Sequence, residues 1–172
     1  MRIQQVKRNV MFKKASSATH DALMARLAGD PILLLDILRR AWPQAFLGAK
    51  DPKVTALYVE RPIVVGGRSL HASRRKGGWV AGFIDLAVRV CVNRPVTVIG
   101  ATEPITTVQE IQEAFYIEVK SGKIRFGELM RQINLYRAYG EEGYWVVIGP
   151  DDRYAELLRD QDVAFVRMMV PQ

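Results

Sequence analysis

The chain is poor in the residues on which several kinds of chemistry depend. It has one cysteine, Cys91, and two histidines, His20 and His71. A lone cysteine excludes an internal disulfide framework and fits a reducing, cytoplasmic setting. Cys91 lies in an alternating apolar run, the context of a buried, inert thiol. Two histidines and one cysteine are too few for a zinc cluster or a histidine-rich nuclease site. No hydrophobic run approaches the roughly 20 residues that span a bilayer, so no membrane role is expected. The opening residues, Met1-Arg2-Ile3-Gln4-Gln5, lead into no apolar signal region, and secretion is not expected. There is no internal repeat, no low-complexity tract and no Gly-x-x-x-x-Gly-Lys-Ser/Thr phosphate loop, which excludes an ATP-driven motor of that type. No nucleophile-elbow sequence recommends Ser-His-Asp hydrolysis.

What is present is a basic, half-apolar chain. Its 172 residues fit one domain, 1–172, with enough apolar material for a core. Twenty-five Lys and Arg against 18 Asp and Glu give a net charge of +7, which favours an anionic partner. The first 18 residues are basic, with Lys7, Arg8, Lys13 and Lys14, and form either an ordered edge element or a loose arm.

From Thr19 to about Ala41, Leu23, Leu27, Leu34, Leu35 and Leu38 recur at helical spacing. Asp30-Pro31 supplies an N-cap and a first-turn proline, so two helices joined at Gly29 are expected. The period then shortens. Val54 to Val65 alternates and is rich in β-branched residues, and Trp79 to Val92 reads as a second strand. Glycine pairs at Gly66-Gly67 and Gly77-Gly78 bound the connection between them. Asn93-Arg94-Pro95 reads as a turn, followed by a short strand over Val96 to Ile99. Thr102 to Glu113 is ambiguous. Phe115 to Lys120 reads as a short strand, and Gly127 to Tyr139 as a helix with Leu129, Ile133 and Tyr136 on one face and Gly140 as its C-cap. Tyr144 to Ile148 is an apolar strand of the doubly buried kind. A last helix, Arg153 to Arg159, and a strand, Val163 to Met168, complete a mixed α/β sheet with flanking helices.

Three charged residues stand where these strands expect apolar ones. Asp85 lies in Gly82-Phe-Ile-Asp-Leu-Ala-Val88, and Glu118 and Lys120 lie in Phe115-Tyr-Ile-Glu-Val-Lys120. Alternation puts Glu118 and Lys120 on one face, roughly 7 Å apart. If the two strands are neighbours, Asp85 faces Glu118. Paired carboxylates suit Mg²⁺, a hard cation that takes oxygen ligands and keeps several waters, with the Val119 carbonyl as a natural extra ligand. A lysine beside them can orient an attacking water and offset charge developing on a phosphodiester.

With these residues in place, the region from Val59 to about Ile148 resembles the PD-(D/E)XK nuclease superfamily, and more loosely its RecB-like exonuclease branch. The resemblance rests on Val59-Glu60-Arg61-Pro62, Gly82-Phe83-Ile84-Asp85, Ile117-Glu118-Val119-Lys120 and Gln132-Ile133-Asn134-Leu135-Tyr136. It implies a restriction-endonuclease-like fold, an αβββαβ core with a C-terminal αβ extension. It also implies Mg²⁺ (Mn²⁺ substituting) held by Asp85 and Glu118, a catalytic Lys120, and Gln132 supporting the site or touching DNA. An early acidic ligand would be Glu60, with Asp36 and Asp30 as the other candidates. Ile84 stands where the motif has proline, and one cysteine cannot build the iron–sulfur site of CRISPR-associated relatives.

The expected partner is DNA, contacted by Arg68, Arg74, Arg75 and Lys76 on the basic connection, by Lys123 and Arg125 after the motif, and by Tyr136. For the basic connection, with His71 among its residues, a solvated hairpin tip is the equal alternative. Trp79, Tyr136 and Tyr139 read more readily as core or site-wall residues than as stacking platforms. Endonuclease and exonuclease action, and DNA and RNA, stay open. A Holliday-junction resolvase and a non-catalytic DNA-binding domain of the same fold are the competing expectations. Double-strand cutting would call for a homodimer.

Overall fold

The computed structural model describes residues 2–5, 18–65, 79–99, 104–139 and 142–169. Two helices open the main body, α1 (Ala18–Gly29) and α2 (Pro31–Ala41). The break between them has the expected cause. The Asp30 carboxylate accepts hydrogen bonds from the backbone N–H groups of Ile32 and Leu33, and Pro31 occupies the first turn, where no N–H is needed. Leu23, Met24 and Leu27 of α1 and Leu34, Ile37 and Leu38 of α2 are buried, one stripe from each helix.

Among the described residues six strands form one sheet: β1 (Arg2–Gln5), β2 (Lys50–Val65), β3 (Trp79–Ile99), β4 (Pro104–Val119), β5 (Tyr144–Gly149) and β6 (Val163–Arg167). They lie side by side in chain order. β1 runs parallel to β2, the β2–β3–β4 meander is antiparallel, and β4, β5 and β6 run parallel. Parallel neighbours need crossovers, and these are helical: α3 (Phe126–Ala138) between β4 and β5, and α4 (Ala155–Arg159) between β5 and β6. The core has two parts. On one face α1 and α2 cover Leu57, Leu86, Val88, Phe115, Ile117 and Val146. On the other, α3 and α4 cover Ile63, Ile84, Tyr116, Trp145 and Val147. The protein is therefore α/β with a mixed sheet. Among the described residues no helix is long and apolar enough to cross a membrane.

Several boundaries differ from the sequence expectations. Asn93-Arg94-Pro95 is not a turn, because β3 runs unbroken to Ile99. The ambiguous stretch and the short strand before Lys120 are one 16-residue strand, β4. Its partner holds β3 extended: Arg94 pairs with Gln109, Pro95 with Val108 and Val96 with Thr107. The pairing of β2 with β3 ends at Lys50 and Asn93, so beyond that point β3 is an edge strand among the described residues, the position in a sheet that tolerates proline. β2 begins four residues earlier than its alternation suggested, and α4 begins at Ala155 rather than Arg153. Arg2–Gln5 of the basic opening segment form an edge strand. The expected C-cap Gly140 and the glycine-bounded connection lie outside the described residues.

Candidate active site

The site forms where β3 and β4 part. Their pairing runs from Ile99 and Pro104 down to Leu86 and Ile117, and the next residues along are Asp85 and Glu118. Here the side-chain alternation of β3 changes phase. Ile84 and Leu86 should share a face, yet Ile84 packs under α3 and Leu86 under α1 and α2. β2 does the same on the other side. Val59 and Ile63 lie in opposite core clusters, and Glu60 between them has φ +52°. Val59 pairs with Leu86 and Arg61 with Ile84, so Glu60 stands across from Asp85. A positive φ on a residue with a Cβ is uncommon and stores backbone strain.

The consequence is that Asp85 sits at the pivot between the two faces. Its Oδ2 accepts a hydrogen bond from the backbone N–H of Val119 at 2.8 Å, the donor that a continuing β3 backbone would otherwise meet. The next residue, Lys120, donates its N–H the other way, to the Ile148 carbonyl of β5 at 2.8 Å. Since the N–H and C=O of one strand residue point to the same side, the Val119 carbonyl opens on the Asp85 side.

Glu118 projects from β4 under α3 and is 1% exposed. A buried carboxylate is tolerated only when paired and hydrogen-bonded. Its Oε1 receives Lys120 Nζ at 2.7 Å and Gln132 Nε2 at 2.8 Å. Lys120 Nζ also lies 3.4 Å from Gln132 Oε1. Helical spacing then matters: Gln132 and Tyr136 are one turn apart, and Gln132 Nε2 donates its second hydrogen to Tyr136 Oη at 2.8 Å. Tyr136 Oη donates in turn to the Phe83 carbonyl at 2.8 Å. Burial, followed by the neighbouring Glu118 charge, pushes the phenol far above its ordinary range, so it remains a donor at all ordinary pH. The network thus ties α3 to β3 two residues before Asp85. Gly82 makes this possible, because a Cβ there would stand 2.9 Å from both Tyr136 Cε1 and Oη.

One participant was not singled out in the sequence. His20, near the start of α1, places Nε2 3.3 Å from Asp85 Oδ2 and Nδ1 3.6 Å from Asp21 Oδ1. The hydrogen bond to Asp85 is the main reason its pKa rises above the ordinary value. A count of histidines could not reveal this, since the contact depends on α1 lying over β3.

The structure therefore brings together Asp85, Val119, Glu118, Lys120, Gln132 and Tyr136, and adds His20. The other candidates are placed differently. Asp30 is engaged as the cap of α2, and Asp36 is exposed on α2. Lys123 and Arg125 are exposed on the connection from β4 to α3, with Arg125 Nη1 3.3 Å from Glu128. Tyr136 is 3% exposed and supports the site from within, so the DNA contact expected of it is not available. Arg68, His71, Arg74, Arg75 and Lys76 lie outside the described residues.

As a metal site, the donor set is two carboxylates and one backbone carbonyl, oxygen ligands of the kind Mg²⁺ takes alongside retained waters. Among the described residues no three His, Cys, Asp or Glu side chains stand together as a complete metal-holding group. No protein-family model, curated protein or solved structure matches the chain.

Proposed function

We propose that the protein is a divalent-metal-dependent nuclease of the PD-(D/E)XK type, with a restriction-endonuclease-like fold, that hydrolyses DNA phosphodiester bonds. The order α2, β2, β3, β4, α3, β5, followed by α4 and β6, agrees with the αβββαβ core and αβ extension that this type implies. The observation that carries the reading is Glu118. It is a carboxylate buried to 1% exposure, held by Lys120 and Gln132, on the strand whose next residue, Val119, donates its N–H to Asp85 at the point where the sheet changes phase. A structural ion pair requires no such break in two neighbouring strands. Bringing charged groups together at the cost of strain and desolvation is characteristic of functional sites.

In this reading Asp85, Glu118 and the Val119 carbonyl would hold Mg²⁺, with Mn²⁺ able to substitute. When bound, the ion would supply Lewis-acid chemistry toward the phosphodiester. The protein's own groups do the rest. Lys120 has three donors, of which the contacts to Glu118 and Gln132 use two. The third is free to hold an attacking water or a phosphate oxygen as negative charge develops. Gln132 fixes the Glu118 carboxylate, and Tyr136 fixes the strand that carries Asp85. The net charge of +7, with Lys123 and Arg125 exposed on the connection from β4 to α3, favours a polyanionic substrate.

Calorimetry with Mn²⁺ tests the site. The parent should bind the ion, and Asp85→Asn and Glu118→Gln should each lose most of that binding while remaining folded. Unchanged affinity in both variants would overturn the assignment. Linear, circular, single-stranded and branched DNA, with an RNA control, then identify the substrate. Preference for branched DNA would indicate a junction resolvase, and binding without cutting a non-catalytic domain.

A further inference from the structure

The exchange of faces in β2 and β3 is one coupled event. The two strands keep a single register from Ala56 and Arg89 to Ile63 and Gly82, with no shift on either side of the Glu60–Asp85 step. Antiparallel partners share a face, so a strand that rotates there must carry its neighbour with it or lose the pairing. Tyr58 and Ala87 lie on the α3 side, and Val59 and Leu86 on the side of α1 and α2. Arg61 and Ile84 are back on the α3 side, with the Arg61 guanidinium 5.7 Å from the centre of the Tyr116 ring. Strict alternation would have put that last pair under α1 and α2.

The rotation is confined to one residue of each strand. Of the two, only Glu60 has a positive φ, +52°. The other non-glycine residues of positive φ among the described residues are Asp51 and Asp162, at the start of β2 and just before β6. Aspartate enters this region more readily than most residues. A glutamate inside a continuous pairing does so only where its surroundings impose it.

What the rotation achieves is seen at the other edge of β3. The Asp85 carboxylate lies in the seam between β3 and β4, where it accepts the Val119 N–H at 2.8 Å. In regular phase the Asp85 side chain would project from one face of the sheet instead. We infer that Glu60 is a positioning residue for Asp85, acting through its left-handed backbone rather than through its carboxylate. This differs from the ligand role that the family resemblance implies for Glu60. Residue 60 takes up the rotation, so β2 stays paired with β3 while Asp85 turns into the seam. Asp85 is held in this way whether or not the protein is a nuclease; the consequence for metal binding rests on the nuclease reading.

Amide hydrogen exchange followed by NMR on the full-length, metal-free chain tests this. Val119 N–H reports the bond to Asp85, and Lys120 N–H, bonded to the Ile148 carbonyl of β5, reports the sheet itself. Three variants remove the carboxylate. Glu60→Gly and Glu60→Asn supply residue types that enter the left-handed region readily, and Glu60→Val a β-branched type that resists it. In Glu60→Val, Val119 exchange should quicken relative to Lys120 by about 5–30-fold, the factor that corresponds to a left-handed penalty. In Glu60→Gly and Glu60→Asn the ratio should stay at the parental level. Mn²⁺ should bind Glu60→Val at least about fivefold more weakly than Glu60→Gly, although both lack the carboxylate. Equal quickening in all three variants would assign the role to the carboxylate, and a parental ratio in Glu60→Val would show Asp85 held without residue 60; either overturns the inference. If Glu60→Val does not fold, rapid Val119 exchange in both Glu60→Gly and Glu60→Asn still overturns it, and parental ratios in both support it. A parent that binds no Mn²⁺ would overturn the nuclease reading alone, since the exchange ratios decide the positioning role without metal.

Discussion

Replacing Lys120 by alanine in the metal-free protein takes from Glu118, at 1% exposure, the Lys120 ammonium and keeps the Gln132 contact. Breaking a fully buried pair costs about 3–5 kcal/mol. The Lys120 side chain is 20% exposed, so solvent already screens part of the attraction and the loss should be about 2–3 kcal/mol. For a domain of this size each kcal/mol moves the melting temperature by roughly 2–4 °C, so the variant should melt about 4–12 °C below the parent. Thermal denaturation at pH 7 with a chelator present measures this directly. The double variant Lys120→Ala/Glu118→Gln should recover most of the loss, since the amide needs no counter-charge and still accepts from Gln132. Adding Mg²⁺ should raise the melting temperature of Lys120→Ala more than that of the parent, because the ion restores positive charge beside Glu118. A Lys120→Ala variant that melts within about a degree of the parent would refute the claim that Glu118 is an ionised, buried carboxylate dependent on this lysine.

Three further outcomes follow from the same geometry. Gly82→Ala should destabilise the fold by about 1–3 kcal/mol and slow cleavage, because the new Cβ meets a Tyr136 ring fixed by two hydrogen bonds; chemical denaturation and cleavage assays on one preparation check both. Asp30→Ala should cost about 1 kcal/mol of stability through the lost α2 cap yet leave metal binding untouched, and reduced Mn²⁺ affinity would return Asp30 to the ligand set. In the metal-free protein His20 should titrate above its ordinary 6.5, and Asp85→Asn should lower it, as NMR of the imidazole would show. Because the folded value is raised, its stabilising contribution is complete below about 6.5 and is lost as pH rises through the folded value. The stability gap between the parent and His20→Gln should therefore narrow from pH 6 to pH 9.

Much of this arrangement was legible from local pattern. The α2 cap, the stripe of α3 and the Glu118-Val119-Lys120 alternation are all set within a few residues of one another, where period and capping rules apply. Placement of Asp85 beside the Glu118 strand followed once two strands were expected to be neighbours. What was not legible depends on partners distant in sequence. Asn93-Arg94-Pro95 has turn composition, and only pairing with Gln109 and Val108 keeps it extended. The phase change at Glu60 and Asp85 leaves no mark in the hydrophobic pattern, because a polar residue occupies the pivot in each strand. His20 joins Asp85 across 65 residues, through the packing of a helix over the sheet.

The most direct test of the nuclease reading is single-turnover cleavage in Mg²⁺ by the parent and Lys120→Ala, below the melting range of both. The lysine's contribution should peak in the transition state, so its loss should slow cleavage by about 10²-fold or more. DNA affinity measured in Ca²⁺ should change far less. Near-parental cleavage by the folded variant, or no metal-dependent cleavage by the parent on any DNA, would contradict the account.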